Sequence, residues 1–289
     1  MKIDGKTRTC GLIGNPVEHT LSPVIHNHLA EMTGKNMVYV PFQVENEAVW
    51  DAVLGAYALN VLGMNVTVPH KAAVIPCLKE IDGLAEKIGA VNTLVRTDGG
   101  YKGYNTDMPG LLRAMQSEGI QIKGETVLLL GAGGAARAVA FLCASEGAVR
   151  VYLCNRTFEK AQQVAAEVNQ AFGGDCIVPV TYEELDTLPE ERFLAIQGTS
   201  VGLYPHVTDT PLADGAIYDR IHTGVDLIYR PAETRFMQLV QKHGGRIMNG
   251  LKMLLYQGII AYELWNDVRV TDAQAQEILQ KMKDEMGIA

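Results

Sequence analysis

The chain has 289 residues, enough for one large domain or two modest ones. With 47% hydrophobic and 20% charged residues it has an ordinary globular composition. The formal net charge of -8 argues against a nucleic-acid or anionic-membrane partner, although a local pocket can still hold an anionic small molecule.

The five cysteines, Cys10, Cys77, Cys143, Cys154 and Cys176, are odd in number and widely spaced, and no C-x-x-C occurs. A disulfide framework or a metal site is therefore not expected, and a reducing compartment is. Met1-Lys2-Ile3-Asp4-Gly5 carries no apolar signal core, so a cytoplasmic protein is expected. The longest apolar stretch, 127–144, is interrupted by glycines and Arg137, which does not suit a membrane span.

In chain order, short β-branched runs alternate with longer amphipathic ones, the pattern of parallel α/β structure. Residues 9–13 read as a strand. Ser22-Pro23 reads as an N-cap followed by proline at the first helical position, opening a helix that runs to about Gly34. A strand over 37–44, a helix over 47–59 and a strand over 63–68 follow. Runs 90–95 and 100–104 suit a hairpin around Asp98-Gly99. Near Asp107 the character changes. A connecting helix over 108–119 leads to an apolar strand at 126–130, a helix from about 135 to 146 and a strand at 149–154, one complete βαβ unit. Further strands fit 194–197, 225–228 and 246–248, and two last helices fit 251–266 and 271–286.

The turn inside the βαβ unit, Gly131-Ala132-Gly133-Gly134-Ala135-Ala136, fits G-x-G-x-x-G/A. The motif is weak alone and much stronger between a buried strand and a helix. The first glycine permits the tight turn and the second lets backbone approach a pyrophosphate. The small third residue lets helix and strand pack closely, and free N–H groups at the helix start face the phosphates. After the next strand NAD-binding chains usually place an acidic residue. Here Asn155-Arg156-Thr157 stand there, with Lys160 one turn on. A guanidinium can fork onto a 2′-phosphate, so NADP is expected over NAD. The bland alternative is a solvated helix start.

The first half offers three polar clusters at predicted strand ends, where open α/β sheets bind ligands. They are His19-Thr20-Leu21-Ser22, Asn65-Val66-Thr67-Val68-Pro69-His70-Lys71, and Ala90-Val91-Asn92-Thr93 continued by Tyr104-Asn105-Thr106-Asp107. Hydroxyls, carboxamides, one lysine and one carboxylate suit a polyhydroxylated, anionic small molecule and do not suit a lipid. His26 and His28 point to different helix faces and make a poor metal pair.

H-x-L-S-P-x-x-H-N, N-V-T-V-P-H-K, G-A-V-N-T and G-Y-N-T-D, followed by G-A-G-G-A and N-R-T, resemble the shikimate dehydrogenase family. The resemblance continues to Gly250-Leu251-Lys252-Met253-Leu254 and Gln257, nearly the whole chain. It implies an α/β fold of two domains, a substrate domain and a Rossmann-type NADP domain, separated by a cleft. The implied division is 1–107 with 255–289 returning to it, and 108–254. The implied reaction is the reversible reduction of 3-dehydroshikimate to shikimate, by a monomer or a homodimer.

Position by position, the resemblance implies Lys71 and Asp107 as the catalytic pair. Hydride reduction of a ketone leaves an alkoxide that needs a proton or a positive charge. An amine at position 71 suits either proton transfer or electrostatic anchoring. Thr20 and Ser22 would hold the substrate carboxylate, with Tyr229 near it, and Asn65, Thr67, Asn92 and Gln257 the ring hydroxyls. Gly131 to Ala135, Asn155, Arg156, Thr157 and Lys160 would hold the cofactor, and Thr199, Leu227 and Gly250 would approach the nicotinamide. Each polar residue also has a structural reading: Ser22 as a helix cap, Asn92 as a turn residue, Gln257 as a solvent-facing helical residue.

The chain departs from the pattern at three places. Thr20 replaces a usual serine, and its methyl bears on the choice between shikimate and the bulkier quinate. Gln197-Gly198-Thr199-Ser200 replaces Asn-Ala-Thr-Ser, which leaves the local backbone support open. Lys252 replaces a glycine, either reaching the cofactor or pointing to solvent. Three alternatives stand beside this reading: a quinate/shikimate dehydrogenase of broader specificity, a non-catalytic NADP-binding regulator, and a methyltransferase use of the glycine-rich turn. Arg156, and the missing acidic residue, count against the last.

Overall fold

A computed structural model describes residues 3–288. Met1 and Lys2, part of the expected leaderless start, lie outside the described residues. The elements, in chain order, are β1 (Arg8–Gly14), α1 (Ser22–Met32), β2 (Met37–Gln43), α2 (Val49–Ala58), β3 (Gly63–Val66), β4 (Glu80–Ile81), α3 (Gly83–Ile88), β5 (Thr93–Thr97), β6 (Gly100–Tyr104), α4 (Asp107–Ser117), β7 (Thr126–Leu130), α5 (Gly134–Ser145), β8 (Arg150–Cys154), α6 (Phe158–Phe172), β9 (Ile177–Val180), β10 (Phe193–Gln197), β11 (Ile221–Asp226), α7 (Arg235–Lys242), β12 (Arg246–Met248), α8 (Leu251–Asn266) and α9 (Asp272–Met286). The chain divides into two units, Met1–Gly110 with Leu254–Ala289, and Leu111–Met253. Among the described residues no helix is long and apolar enough to cross a membrane.

The first unit is built on a six-stranded mixed sheet of order β2-β1-β3-β5-β6-β4. Strand β1 pairs in parallel with β2 and β3, and β3 pairs antiparallel with β5. The β5–β6 hairpin closes at Thr97↔Gly100. Asp98-Gly99 forms its tip, with Gly99 at φ +82°, a backbone that suits glycine. Apolar side chains of β1, β3 and α2 meet Val91, Leu94 and Tyr101 in one core. At the C-terminal end α9 begins with a full capping box, Thr271 and Gln274 each satisfying the other's backbone.

The second unit holds a six-stranded parallel sheet of order β12-β11-β10-β7-β8-β9. In order of appearance along the unit this is 6-5-4-1-2-3, the doubly wound dinucleotide-binding arrangement, whose direction reverses between β7 and β10. Strand β7 buries Val127, Leu128, Leu129 and Leu130 completely. That continuous apolar run is what a strand covered by helices on both faces requires.

Several boundaries differ from the sequence pattern for identifiable reasons. Helix α1 starts at Ser22, so Ser22 is not its cap: the preceding Leu21 is, and the Ser22 N–H donates to Thr20 Oγ1 at 3.2 Å. Strand β3 stops at Val66, before the turn that carries Lys71. Strand β11 occupies 221–226 rather than 225–228, because the polar His222 and Thr223 sit within it and Asp226 ends it. Helices α3, α6 and α7 and strands β4 and β9 lie outside the elements the pattern picks out. Helix α6 nevertheless buries Ala161, Val164, Ala165 and Val168, the i, i+3, i+4, i+7 spacing of an amphipathic helix.

His26 gives this fold an acid sensitivity. The ring is fully buried, stacked on Tyr39 with centroids 4.2 Å apart. Burial pushes its pKa from 6.5 down to about 3. The unfolded chain therefore takes up a proton here first as pH falls. The His26 contribution is complete above about pH 6.5 and drains away between there and about pH 3, at about 1.4 kcal/mol per pH unit. The His26→Asn variant is expected to show a shallower fall of unfolding free energy between pH 6 and 4, by about one proton in slope, in urea titrations. An unchanged slope would contradict this.

Candidate active site

Lys71 and Asp107, separated by 36 positions, meet in the first unit, with Lys71 Nζ donating to Asp107 Oδ2 at 2.7 Å. Both side chains reach solvent, at 33% and 19% exposure. Backbone hydrogen bonds explain the placement. The Val91 N–H donates to the Lys71 carbonyl at 2.8 Å, tying the turn after β3 to the strand that enters the hairpin. His70, fully buried, places Nε2 2.7 Å from the Val44 carbonyl and anchors the same turn from behind. Asp107 is the first residue of α4, and Asn105 Oδ1 accepts the N–H groups of Asp107 at 3.1 Å and Met108 at 3.4 Å. The N-terminal end of a helix is a favourable place for a negative charge.

The other expected ligands of this unit are held by different contacts. Thr20 Oγ1 donates to Ser22 Oγ at 3.1 Å, so the two hydroxyls form one pair at the start of α1. Asn92 Oδ1 accepts from the Thr106 N–H at 2.7 Å, and from the hydroxyls of Thr106 at 3.1 Å and Thr93 at 3.0 Å. This leaves the Asn92 Nδ2 amino group for a ligand. Thr67 is half-buried beside Gly14, where an added Cβ would lie 2.3 Å from the Thr67 methyl. Gln257 is buried in α8, not solvent-facing, and donates to Leu254 O at 2.8 Å; it makes no hydrogen bond to the others.

Asn65 differs from these. Its Oδ1 accepts from the Tyr39 hydroxyl at 2.7 Å and faces His26 Nε2 at 3.1 Å. Its Nδ2 donates to Asn92 O at 3.3 Å and Thr93 Oγ1 at 3.1 Å. Two donors and two acceptors fill everything a carboxamide offers.

In the second unit the glycine-rich turn leaves the C-terminal end of β7 at the reversal point of the sheet, where ligands bind in this architecture. Gly131 has φ +107°, and a Cβ there would lie 2.8 Å from the Thr199 methyl. Gly133 caps α5, whose first turn holds no acidic residue. Added Cβ atoms at Gly133 and Gly134 would meet nothing within 4 Å, so open space lies above the helix start. Asn155 braces the turn: its Oδ1 accepts the Ala132 N–H at 3.2 Å, and its Nδ2 donates to Thr157 O at 2.8 Å. Arg156, Thr157 and Lys160 are exposed at the start of α6, and among the described residues neither cation has an ion-pair partner. These features fit a dinucleotide with a 2′-phosphate: a cradle for the pyrophosphate, and free positive charge with no carboxylate immediately after β8.

Gln197, fully buried, secures the next loop. Its Oε1 accepts the Thr199 N–H, its Nε2 donates to Val201 O, and Thr199 Oγ1 accepts the Val201 N–H. The substituted Gln-Gly-Thr-Ser thus keeps its backbone support. A Cβ at Gly198 would meet the Ala136 Cβ at 3.0 Å, so the loop passes close to the start of α5. The Leu227 N–H donates to Gln197 O at 3.1 Å. Gly250 passes so close to Leu227 that an added Cβ would lie 2.1 Å from its carbonyl oxygen. Tyr229 is half-buried just beyond β11, and burial raises its pKa.

Two profiles of known families match the chain, the "Shikimate dehydrogenase substrate binding domain" over 12–94 and "Shikimate / quinate 5-dehydrogenase" over 113–200. A protein of Desulforamulus reducens named shikimate dehydrogenase (NADP(+)) is 40% identical over 97% of both chains. The chain belongs to the shikimate dehydrogenase family. Another shikimate dehydrogenase (NADP(+)), from Caldanaerobacter subterraneus, is 42% identical over 92% of this chain and 94% of its own. The Thermus thermophilus shikimate 5-dehydrogenase, solved with NADP(H) and shikimate, superimposes with a TM-score of 0.83. It is 33% identical, covering 96% of this chain and all of its own.

Within this shikimate dehydrogenase fold, Lys252 neither points freely to solvent nor stands free for a ligand: it is ion-paired with Glu118. Four polar residues without an individual role in the sequence reading hydrogen-bond to the expected ligands or to Asp107. Thr93, Asn105 and Thr106 lie inside the quoted motifs, so their position was available as a signal. Tyr39 sits in an unremarkable strand, and nothing in the sequence separates it from a core tyrosine. The glycines yield an expected contrast. Gly250→Ala forces backbone apart and is expected to cost about 1–3 kcal/mol of stability, read as a lower melting temperature. Gly133→Ala fills open space, so its melting temperature is expected to hold while NADP binding, measured by calorimetry, weakens. A stable Gly250→Ala or a melted Gly133→Ala would contradict the geometry.

Proposed function

We propose that the chain catalyses the NADP-dependent, reversible reduction of 3-dehydroshikimate to shikimate. The observation that carries this reading is the Lys71–Asp107 pair at 2.7 Å, set among hydroxyl and carboxamide groups on the same unit. The glycine-rich turn and Arg156 would hold NADPH, which when bound would supply a hydride to a ring ketone. Lys71 acts on the other end of that carbonyl. Its ammonium hydrogen-bonds the ketone oxygen, stabilises the negative charge that grows there, and delivers a proton to the alkoxide. Asp107 holds the amine in place through the cycle. Because a third of the Lys71 side chain is exposed, solvent returns the proton. In the oxidative direction the neutral amine accepts the hydroxyl proton.

Thr20 and Ser22 hold the substrate carboxylate through their neighbouring hydroxyls at the start of α1. Thr67, Gln257 and the Nδ2 of Asn92 hold ring hydroxyls. Each chain carries both binding functions, which suits work as a monomer or a homodimer. Five free cysteines suit a reducing, cytoplasmic setting. The test is NADP reduction across a panel of cyclic hydroxy acids. Shikimate is expected to give the highest kcat/KM and quinate a lower one. A preference for quinate, or no reduction with either, would overturn the assignment.

A further inference from the structure

Asn92 is fixed in its main chain from two sides. Its N–H donates to Tyr104 O at 3.0 Å, and its carbonyl accepts the Val66 N–H at 2.8 Å. The freedom left to such a residue is rotation of the side-chain amide, whose two ends differ in chemistry and hardly in shape. Three contacts remove it. The Thr106 N–H lies 2.7 Å from Oδ1, and a peptide nitrogen can only donate, so the atom facing it is the oxygen. The hydroxyls of Thr93 and Thr106 lie 3.0 Å and 3.1 Å from the same oxygen, and 3.1 Å from each other. Asn65 Nδ2 donates to Thr93 Oγ1 at 3.1 Å and fills one of its acceptor positions. Whichever hydroxyl donates to the other, one hydroxyl hydrogen is left for Asn92 Oδ1.

We infer that Thr93 and Thr106 are positioning residues that turn the Asn92 amide so that its amino end alone meets the substrate. The inference rests on the proposed reading of Asn92 as a hydroxyl ligand. Thr93 is fully buried, Thr106 1% exposed and Asn92 2%, so the threonines act through Asn92. Among the described residues, the fully buried polar side-chain atoms without a partner are His26 Nδ1, His70 Nδ1 and Glu190 Oε2. Asn92 Nδ2 has no hydrogen-bond partner among the described residues and is not one of these, so the small exposed part of Asn92 includes this amino group. A ring oxygen bound there has to accept. A reversed amide would set an NH2 group against the Thr106 N–H and offer the substrate an acceptor instead. With the amide pre-set, the ordering cost is not met again on binding. Thr106 is itself held by its neighbour. Asn105 Nδ2 donates to Ala90 O at 3.0 Å, and Asn105 Oδ1 accepts the Asp107 N–H at 3.1 Å. One short segment thus sets both the Asn92 amide and the carboxylate paired with Lys71.

Thr93→Val puts a methyl group where a hydroxyl now meets Asn92 Oδ1. It is expected to raise KM for shikimate roughly three- to tenfold, the worth of one neutral hydrogen bond, with KM for NADP unchanged. Thr93→Ser keeps the hydroxyl and is expected to restore most of the loss. A merely structural role would lower the melting temperature without separating the two KM values, and serine would not rescue it. Asn92→Ala supplies the decisive background. If Thr93 acts through Asn92, adding Thr93→Val to Asn92→Ala raises KM less than about twofold further, because residues that work through one group are not additive. An unchanged KM in Thr93→Val, no rescue by serine, or full additivity overturns the inference. Should Thr93→Val fail to fold, the same cycle is run with Thr106→Val, which leaves the peptide N–H in place. A raised KM for shikimate that disappears in the Asn92→Ala background supports the inference, and an unchanged or additive one overturns it. Wild-type enzyme that reduces NADP with shikimate while these variants behave additively defeats this inference alone. Wild-type enzyme inactive toward shikimate defeats the underlying reading.

Discussion

Lys71→Ala is expected to lower kcat for shikimate oxidation roughly a hundred- to ten-thousand-fold, the usual range for loss of a positioned acid–base group, while KM changes less than about threefold. In the proposed reaction the amine acts on charge that develops only in the transition state, so its removal is expected to fall on kcat and not on ground-state binding. Folding is expected to survive. The Lys71–Asp107 pair reaches solvent on both sides, and pairs of this kind contribute about 0–1 kcal/mol. Lys71→Arg separates two roles of the amine. Guanidinium keeps the charge but does not give up its proton. If Lys71 moves the proton, Lys71→Arg is nearly as impaired as Lys71→Ala; if it only anchors charge, much of kcat returns. An unchanged kcat in Lys71→Ala would remove this residue from the reaction.

Arg156→Ala is expected to raise KM for NADP roughly tenfold to a hundredfold, the worth of about 1.5–3 kcal/mol for charge-assisted hydrogen bonds, and to leave KM for NAD nearly unchanged. The selectivity follows from the 2′-phosphate, which NAD lacks. Arg156 is exposed at the end of β8 with no carboxylate partner to break. Asn155, the residue before it, is already committed to the glycine-rich turn. Lys160→Ala is expected to act in the same direction and less strongly, as a point charge without the bidentate fork. Rising salt is expected to narrow the preference in the parent enzyme. An equal loss for both cofactors in Arg156→Ala would show a structural defect instead.

The second unit was the more legible in sequence. Four consecutive buried residues in β7, then glycines, then a helix is a local pattern, and local patterns survive in one dimension. Asn155-Arg156-Thr157 could be read for cofactor choice because only one helix, one turn and one strand separate them from the cradle. The first unit was legible as separate motifs and not as a site. Lys71 and Asp107 are joined by backbone bonds from Val91 to Lys71 and from Asn92 to Tyr104, which no periodicity announces. Ser22 reads as a helix cap because serine before proline usually is one; Leu21 is the cap, without a side-chain capping bond, and its carbonyl accepts the Val24 and Ile25 N–H groups. Asn65 is expected as a ligand from its motif, and its four hydrogen-bond partners within the unit appear only in three dimensions. The strand at 221–226 was shifted in the pattern by His222 and Thr223. Its end residue, Asp226, is wholly buried, accepts from Thr234 and the Ile228 N–H, and is raised by burial to about 6. A buried acid at a strand end is visible only once tertiary structure is known.

The most direct measurement is consumption of NADPH by the purified chain on addition of 3-dehydroshikimate, run beside NADH at equal concentration. The account predicts rapid oxidation of NADPH, much slower oxidation of NADH, and formation of shikimate in equal amount to NADP. A protein that binds NADPH but leaves it unoxidised in the presence of 3-dehydroshikimate would contradict it.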